Sequence, residues 1–308
     1  MKKRFFSFMA LGLVLTLTAC NSNEVSKSSD KPAKQYDLAK RSYEFKEAPN
    51  NVAVLSSGDL DIVKSLGGKI VGRPTSIMPT TDPELKDIVE IGNIHQPKFE
   101  EIASVKADVL FAGKAFANNI DKVESQGTKV VVTSGNSINE IKQSITLIGN
   151  VLNKDKEASV LTSKIDKQMK EYGSDKKTTK SLIVYGAGTD FLIALPTSLS
   201  GDVLNKVGGE NIASEFAEDK TMPGYAQISA ERIIEKNPDV IFMISHGDPE
   251  ATKKAFEKQM LHNKAWSTLN AVKKNQIIFL PPNLFAVNPG TGITEALKFM
   301  NDELVKAQ

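Results

Sequence analysis

The chain has 308 residues, of which 39 are Lys or Arg and 37 Asp or Glu, for a formal net charge of +2. Loss of an N-terminal segment carrying Lys2, Lys3 and Arg4 and no acid would take that charge to −1, which gives nucleic-acid binding no electrostatic support. One cysteine rules out a disulfide within the chain, and three histidines are few for a metalloenzyme.

Residues 1–19 read as an export signal: the basic Lys2, Lys3 and Arg4 precede an apolar run over residues 5–17 that is too short to span a bilayer comfortably. Leu17-Thr18-Ala19-Cys20 resembles a bacterial lipobox, which implies that Cys20 takes the lipid. A diacylglyceryl thioether with an added acyl chain anchors stably, whereas a single chain binds only marginally. The stretch that follows, to residue 35, is rich in Ser, Lys and Asn without an apolar period, so residues 20–35 form a lipid-anchored flexible tether. What remains exceeds a typical single core and favours two lobes.

The first half alternates β-rich runs with helical periods. Residues 52–56, 70–75, 108–112 and 129–133 read as strands, and 59–66, 99–105 and 120–126 as helices. Ser137 and Glu140 form a capping box before a helix whose apolar face is Ile138, Ile141, Ile145, Ile148 and Leu152. Then comes the segment 155–173, where Ala158, Leu161, Ile165, Met169 and Tyr172 recur on one helical face. Asp155 is the expected N-cap and Gly173 the expected stop. About 19 helical residues span roughly 28 Å, enough to carry the chain from one lobe to another.

After this helix the pattern restarts. Residues 182–185, 191–195, 240–244 and 276–280 read as strands. Residues 201–207, 228–235, 249–258, 266–272 and 294–306 read as helices, the last with a seam of Leu297, Met300 and Leu304. Alternation of this kind implies an α/β fold with parallel sheet. One internal repeat is visible: Glu100, Ile102, Asp108, Val109 and Phe111 stand in the same register as Glu231, Ile233, Asp239, Val240 and Phe242. The repeat suggests two lobes built alike.

These residues resemble the substrate-binding lipoproteins of ABC importers for ferric siderophores, cobalamin and haem, over about residues 43–305. In that family a P-x-x-E-x-I…P-D-V-I unit occurs once per lobe, and its glutamate docks on arginines of the permease. The resemblance therefore implies permease docking by Glu100 and Glu231; Ala107 stands where the first unit's second proline is usual. Residues 199–212, with Gly201-Asp-Val-Leu204 and Gly208-Gly-Glu-Asn-Ile212, are similar to the family's GDLL…GGxNV segment. The implied architecture is α/β, with two Rossmann-like lobes joined by one long helix and the ligand cleft between them. The boundaries follow as residues 36–152 for the N-terminal lobe, 153–175 for the linking helix and 176–308 for the C-terminal lobe.

Two segments are similar to the haem-binding branch of Gram-positive bacteria. Glu90-Ile-Gly-Asn-Ile-His95-Gln-Pro97 matches a motif that supplies an axial methionine in that branch, and Ser245-His246-Gly-Asp-Pro-Glu250, followed by Lys253-Lys254, one that supplies an axial histidine. His95 stands at the methionine position, so the resemblance implies that His95 and His246 hold the iron of haem b, one from each lobe. An imidazole must be neutral to bind iron, so acid opposes binding. Met78 is an alternative to His95, or else lines the cleft, and Met222 and Tyr225 are candidates for the second wall. Gly290, Thr291 and Gly292 either present backbone N–H groups to a propionate or cap the last helix. His262 has no motif around it and reads as a surface residue.

Enzymatic signals are weak. Gly186-Ala-Gly188 begins a dinucleotide fingerprint, but Phe191 stands at the third glycine position, and no G-x-S-x-G, H-E-x-x-H or P-loop occurs. The resemblance implies a monomeric, non-enzymatic, lipid-anchored protein on the outer face of the cytoplasmic membrane. Its partners would be haem, an ABC permease and haem-donor surface proteins. A ferric siderophore or cobalamin is the alternative cargo, although one Trp and five Tyr are few for such clefts.

Overall fold

A computed structural model describes residues 35–76, 82–174, 179–261, 264 and 266–307. The expected export signal, Cys20, Met78 and His262 lie outside the described residues. A small hairpin, β1 Gln35–Tyr36 and β2 Ser42–Tyr43, opens the fold, so Gln35, expected to end the tether, already belongs to a strand. The hairpin turn is fixed to the sheet that follows: Leu38 N–H donates to the Val132 carbonyl, and Val132 N–H to Asp37 Oδ2.

The first sheet comprises β3 Asn51–Val54, β4 Lys69–Arg73, β5 Val89–Glu90, β6 Val109–Gly113 and β7 Lys129–Thr133, in the order β5-β4-β3-β6-β7 with every pairing parallel. Val52 to Val54 and Val109 to Phe111 are fully buried, as strands covered on both faces must be. α1 Ser57–Ser65 and α4 Ile138–Val151 pack on one face, and α2 Phe99–Ser104 and α3 Ile120–Glu124 on the other. Half of the predicted capping box forms: Ser137 Oγ accepts the Glu140 N–H at 3.1 Å. Glu140 does not return to the cap, because Ser134 Oγ at 2.6 Å and Asn136 N–H at 2.9 Å already engage it.

α5 Asp155–Tyr172 links the halves as its periodicity predicts, with Ala158 and Ile165 buried and Leu161, Met169 and Tyr172 partly so. Lys154, not Asp155, occupies the N-cap. Asp155 is the first helical residue, where its charge complements the helix dipole and its carboxylate accepts from Asn150 Nδ2.

The second sheet contains β8 Thr179–Ala187, β9 Asp190–Ala194, β10 Gly209–Asn211, β11 Tyr225–Gln227, β12 Val240–His246 and β13 Ile277–Leu280. Its order is β11-β9-β8-β12-β13, with β10 beside the start of β8. β9 runs antiparallel to both of its neighbours, β8 and β11, so this sheet is mixed where the alternation implied parallel strands. The reason is local: Gly188 and Thr189 alone connect β8 to β9, enough for a hairpin and too few for a crossover.

α6 Leu199–Lys206 packs on the face of this sheet that continues into the first lobe's core. α7 Ala230–Lys236, α8 Pro249–Phe256 and α9 Asn270–Lys273 cover the opposite face. α10 Pro282–Phe285 and α11 Ile293–Lys306 complete the fold, with α11 against α5 and α6. Two predicted helices are interrupted. The helix from Pro249 gives way to a π-helical turn at Glu257–Leu261, and the one expected over 266–272 splits into a 3-10 turn, Trp266–Thr268, and α9. Trp266 is buried edge-on to Phe256, with ring centroids 6.0 Å apart.

The repeat seen in the sequence is also a repeat of backbone path. α2 leads into β6, between β3 and β7, and α7 leads into β12, between β8 and β13. At matching positions Lys106 and Asn237 both adopt left-handed backbone, φ 48° and 46°. Ile102 and Ile233, Val109 and Val240, and Phe111 and Phe242 are all fully buried. An apolar cluster runs from Val52 and Ile145 through Ile165 of α5 to Ile244 and Leu297, so the halves share core as well as chain.

Candidate functional site: a cleft between the two sheets

The carboxyl end of the first sheet forms one wall of a cavity of about 360 Å3. Ser56 and Asp59 follow β3, Gly113 ends β6, Thr133 ends β7 and residues 134–136 follow it. The strand order reverses between β3 and β6, and crevices at such switch points are where α/β sheets hold ligands. The facing wall comes from the second half: residues 197–200 at the start of α6, Glu218, residues 223–225 entering β11, and residues 285–288 after α10.

Hydroxyl and amide side chains make up nine of the nineteen described lining residues, and none of the nineteen is Lys or Arg. Asp59 is only 1% exposed. Its Oδ2 accepts from Thr133 Oγ1 at 2.9 Å, and its N–H donates to Ser56 Oγ, the cap of α1, at 3.1 Å. Burial pushes its carboxyl up to about 6, against the opposing effect of the Ser56 and Thr133 hydroxyls. Nothing in the sequence marks Asp59, since an acid in a first helical turn is an ordinary dipole partner. Only the fold places it against a cavity. Across from it, Glu218 accepts the Gly224 N–H at 2.6 Å.

Asn288 reaches from the second half into the first. A Cβ at Gly58 would lie 2.3 Å from Asn288 Cγ, and one at Gly135 would lie 2.0 Å from its Nδ2, so glycine at both positions admits the amide. The turn that follows is anchored too: Asp61 Oδ2 accepts from the N–H and Oγ1 of Thr291, each at 2.6 Å. This corrects the expectation that Gly290, Thr291 and Gly292 offer N–H groups to a propionate. Gly290 N–H donates to Asn288 Oδ1, Thr291 N–H to Asp61 and Gly292 N–H to the Pro289 carbonyl. The Thr291 donor joins the halves, and the other two close the turn itself.

His246 ends β12, paired in register with Ala187 of β8, the strand on the other side of the second sheet's own switch point. Its ring lies 5.8 Å from that of Tyr185, which lies 5.0 Å from that of Tyr225. The three make an aromatic row on one face of the sheet, with Tyr225 lining the cavity. Burial pushes the Tyr225 phenol up to about 12; Tyr185 is raised as well, first by burial and then by Tyr225. His246 is half-buried, and its Nδ1 is buried with no hydrogen-bond partner. Met222 is 38% exposed, in a turn whose Asp219 carboxylate accepts from the Thr221 N–H at 2.8 Å and the Met222 N–H at 3.2 Å.

His95 is exposed and does not line the cavity. It occupies a loop closed by a bridge between Gly92 and Pro97, in which Asn93 Oδ1 accepts the His95 N–H at 2.9 Å. The neighbouring Ile94 side chain lies over Gly113 of the cavity wall, so the loop borders the cavity rim. Glu100 and Glu231 are exposed in the first turns of α2 and α7, at matching positions of the repeat.

A family model described as periplasmic binding protein matches residues 52–284. The chain is 26% identical to the high-affinity haem uptake system protein IsdE of Staphylococcus aureus strain Newman, over 98% of each chain. The structure of S. aureus IsdE complexed with haem superposes with a TM-score of 0.71 over 83% of this chain and 99% of that one, at 26% identity. S. aureus SirA complexed with staphyloferrin B superposes with a TM-score of 0.68, at 27% identity, over 86% of this chain and 95% of that one.

Proposed function

We propose, because this chain belongs to the periplasmic binding protein family of transport-associated substrate binders, that it is the cargo-binding component of an ABC importer and that its cargo is haem. The observation that carries the reading is His246, an imidazole at the carboxyl end of a sheet's switch point with its Nδ1 unpartnered and Tyr185 and Tyr225 beside it. A flat, mostly apolar macrocycle suits an aromatic wall, and iron completes the imidazole. The full-length likeness to IsdE supports the same cargo.

In this reading His246 is one axial ligand of haem b and His95, on a loop of the other lobe, is the second, with Met78 as the alternative. Met222 and Tyr225 border the porphyrin. Cys20 carries the lipid that holds the protein at the outer face of the cytoplasmic membrane. Glu100 and Glu231 dock the loaded monomer on its permease, and haem-donor surface proteins supply the cargo. A ferric siderophore is the second reading, favoured by the hydroxyl- and amide-lined cavity and by the likeness to SirA.

The function is tested by growth on haem as sole iron source. Deletion of the gene should stop growth and the wild-type gene restore it. A Glu100→Lys, Glu231→Lys double variant should fail to restore growth while the purified variant binds haem as the wild type does. Full growth of the deletion strain on haem would overturn the cargo, and rescue by the double variant would overturn the docking role.

A further inference from the structure

Asp59 is a carboxyl group in the wall of a cavity that receives, in the reading above, an anionic cargo. Its partners are neutral, the hydroxyls of Thr133 and Ser56. The charged groups on the surrounding elements do not relieve it. On α1, Lys64 is paired with Asp82 and Glu84, and Asp61 with Thr291. Beyond β6 and β7, Lys114 is paired with Glu140. The facing wall contributes Glu218 and the phenol of Tyr225. A second carboxylate placed here meets a like charge with no lysine or arginine in the lining, and two carboxyls in one low-dielectric site share a proton.

We propose that Asp59 is a specificity-determining residue for cargo carboxylates: an acidic group of the cargo, for haem a propionate, seats beside it as a proton-sharing carboxyl pair, so that loading takes one proton from solvent. The raised affinity of Asp59 for protons in the empty cleft agrees with this. Only an O–H bond is made, and the proton resides between the two carboxyls. The proposal rests on the haem reading for the identity of the acid.

The test is calorimetric titration with ferric haem at pH 7 in two buffers of different ionisation enthalpy, comparing wild type with Asp59→Asn and, as a second variant for the same readout, Asp59→Ser. Protons exchanged by the haem and by its imidazole ligands are common to all three proteins and cancel in the difference. Wild type should take up close to one proton more than either variant, and its affinity relative to theirs should fall by up to about tenfold per pH unit as pH rises. Equal proton uptake in a folded variant and wild type would overturn the role of Asp59 while leaving haem as cargo. Absence of haem binding by wild type would instead overturn the reading on which it rests.

Discussion

Asp59 carries a cost at neutral pH that its two hydroxyl partners offset only in part. Its folded value of about 6 lies above the unfolded value near 3.9, so the stability it contributes is fully present below the unfolded value and is lost as pH rises through about 6. About two pKa units correspond to roughly 3 kcal/mol. Asp59→Asn, neutral at every pH, should therefore be more stable than wild type at pH 7.5, by an amount that shrinks as pH falls from 6 toward 4. Denaturant unfolding at these pH values measures it; an advantage unchanged between pH 7.5 and 4 would contradict the burial argument. At this scale a sequence displays motifs that are contiguous strings or repeats, whatever their role. The surroundings of His246, with a histidine, glycine and proline before a lysine pair, are a contiguous string, and Glu100 and Glu231 declare themselves by repetition. Asp59 is special only because β7 and a distant turn close over it.

Periodic elements were legible and their junctions less so. α4, α5 and α11 follow from apolar spacing because each buries one stripe against a neighbour. The antiparallel course of β9 does not follow from the alternation of elements; it follows from the two residues between β8 and β9. In the sequence the 290–292 turn admits two readings, N–H groups offered to a propionate or a cap for the last helix, since nothing near Gly290 announces that Asp61 will engage Thr291. That turn is where the halves are joined, and Gly290 is its most constrained residue: φ is +60°, and a Cβ would lie 2.6 Å from Asp61 Oδ2 and 2.7 Å from the Gly58 carbonyl. Gly290→Ala should destabilise the protein by about 1–3 kcal/mol through left-handed strain and crowding. A midpoint in urea unchanged from wild type would show that the turn tolerates separation from α1.

On the scale of the whole molecule, the halves are held together at several places. The Ile138 N–H donates to Asp202 Oδ2 at 2.8 Å, Thr291 is bound to Asp61, Asn288 is lodged between two glycines, and a shared apolar cluster runs through α5. Such joining leaves little room for a wide hinge, so the loaded protein should differ from the empty one by small closure and loop adjustment around the cavity. The loop bearing His95 lies at the rim and His246 at the end of β12, so the proposed ligation by both imidazoles would require that adjustment. The proposed haem binding is tested by an absorption titration of the soluble protein, beginning after Cys20, with ferric haem, alongside His246→Ala and His95→Ala. Wild type should give a saturable one-to-one low-spin spectrum that either substitution converts to high-spin or abolishes. A wild type without a saturable Soret shift would contradict it and turn attention to ferric siderophores on the same fold.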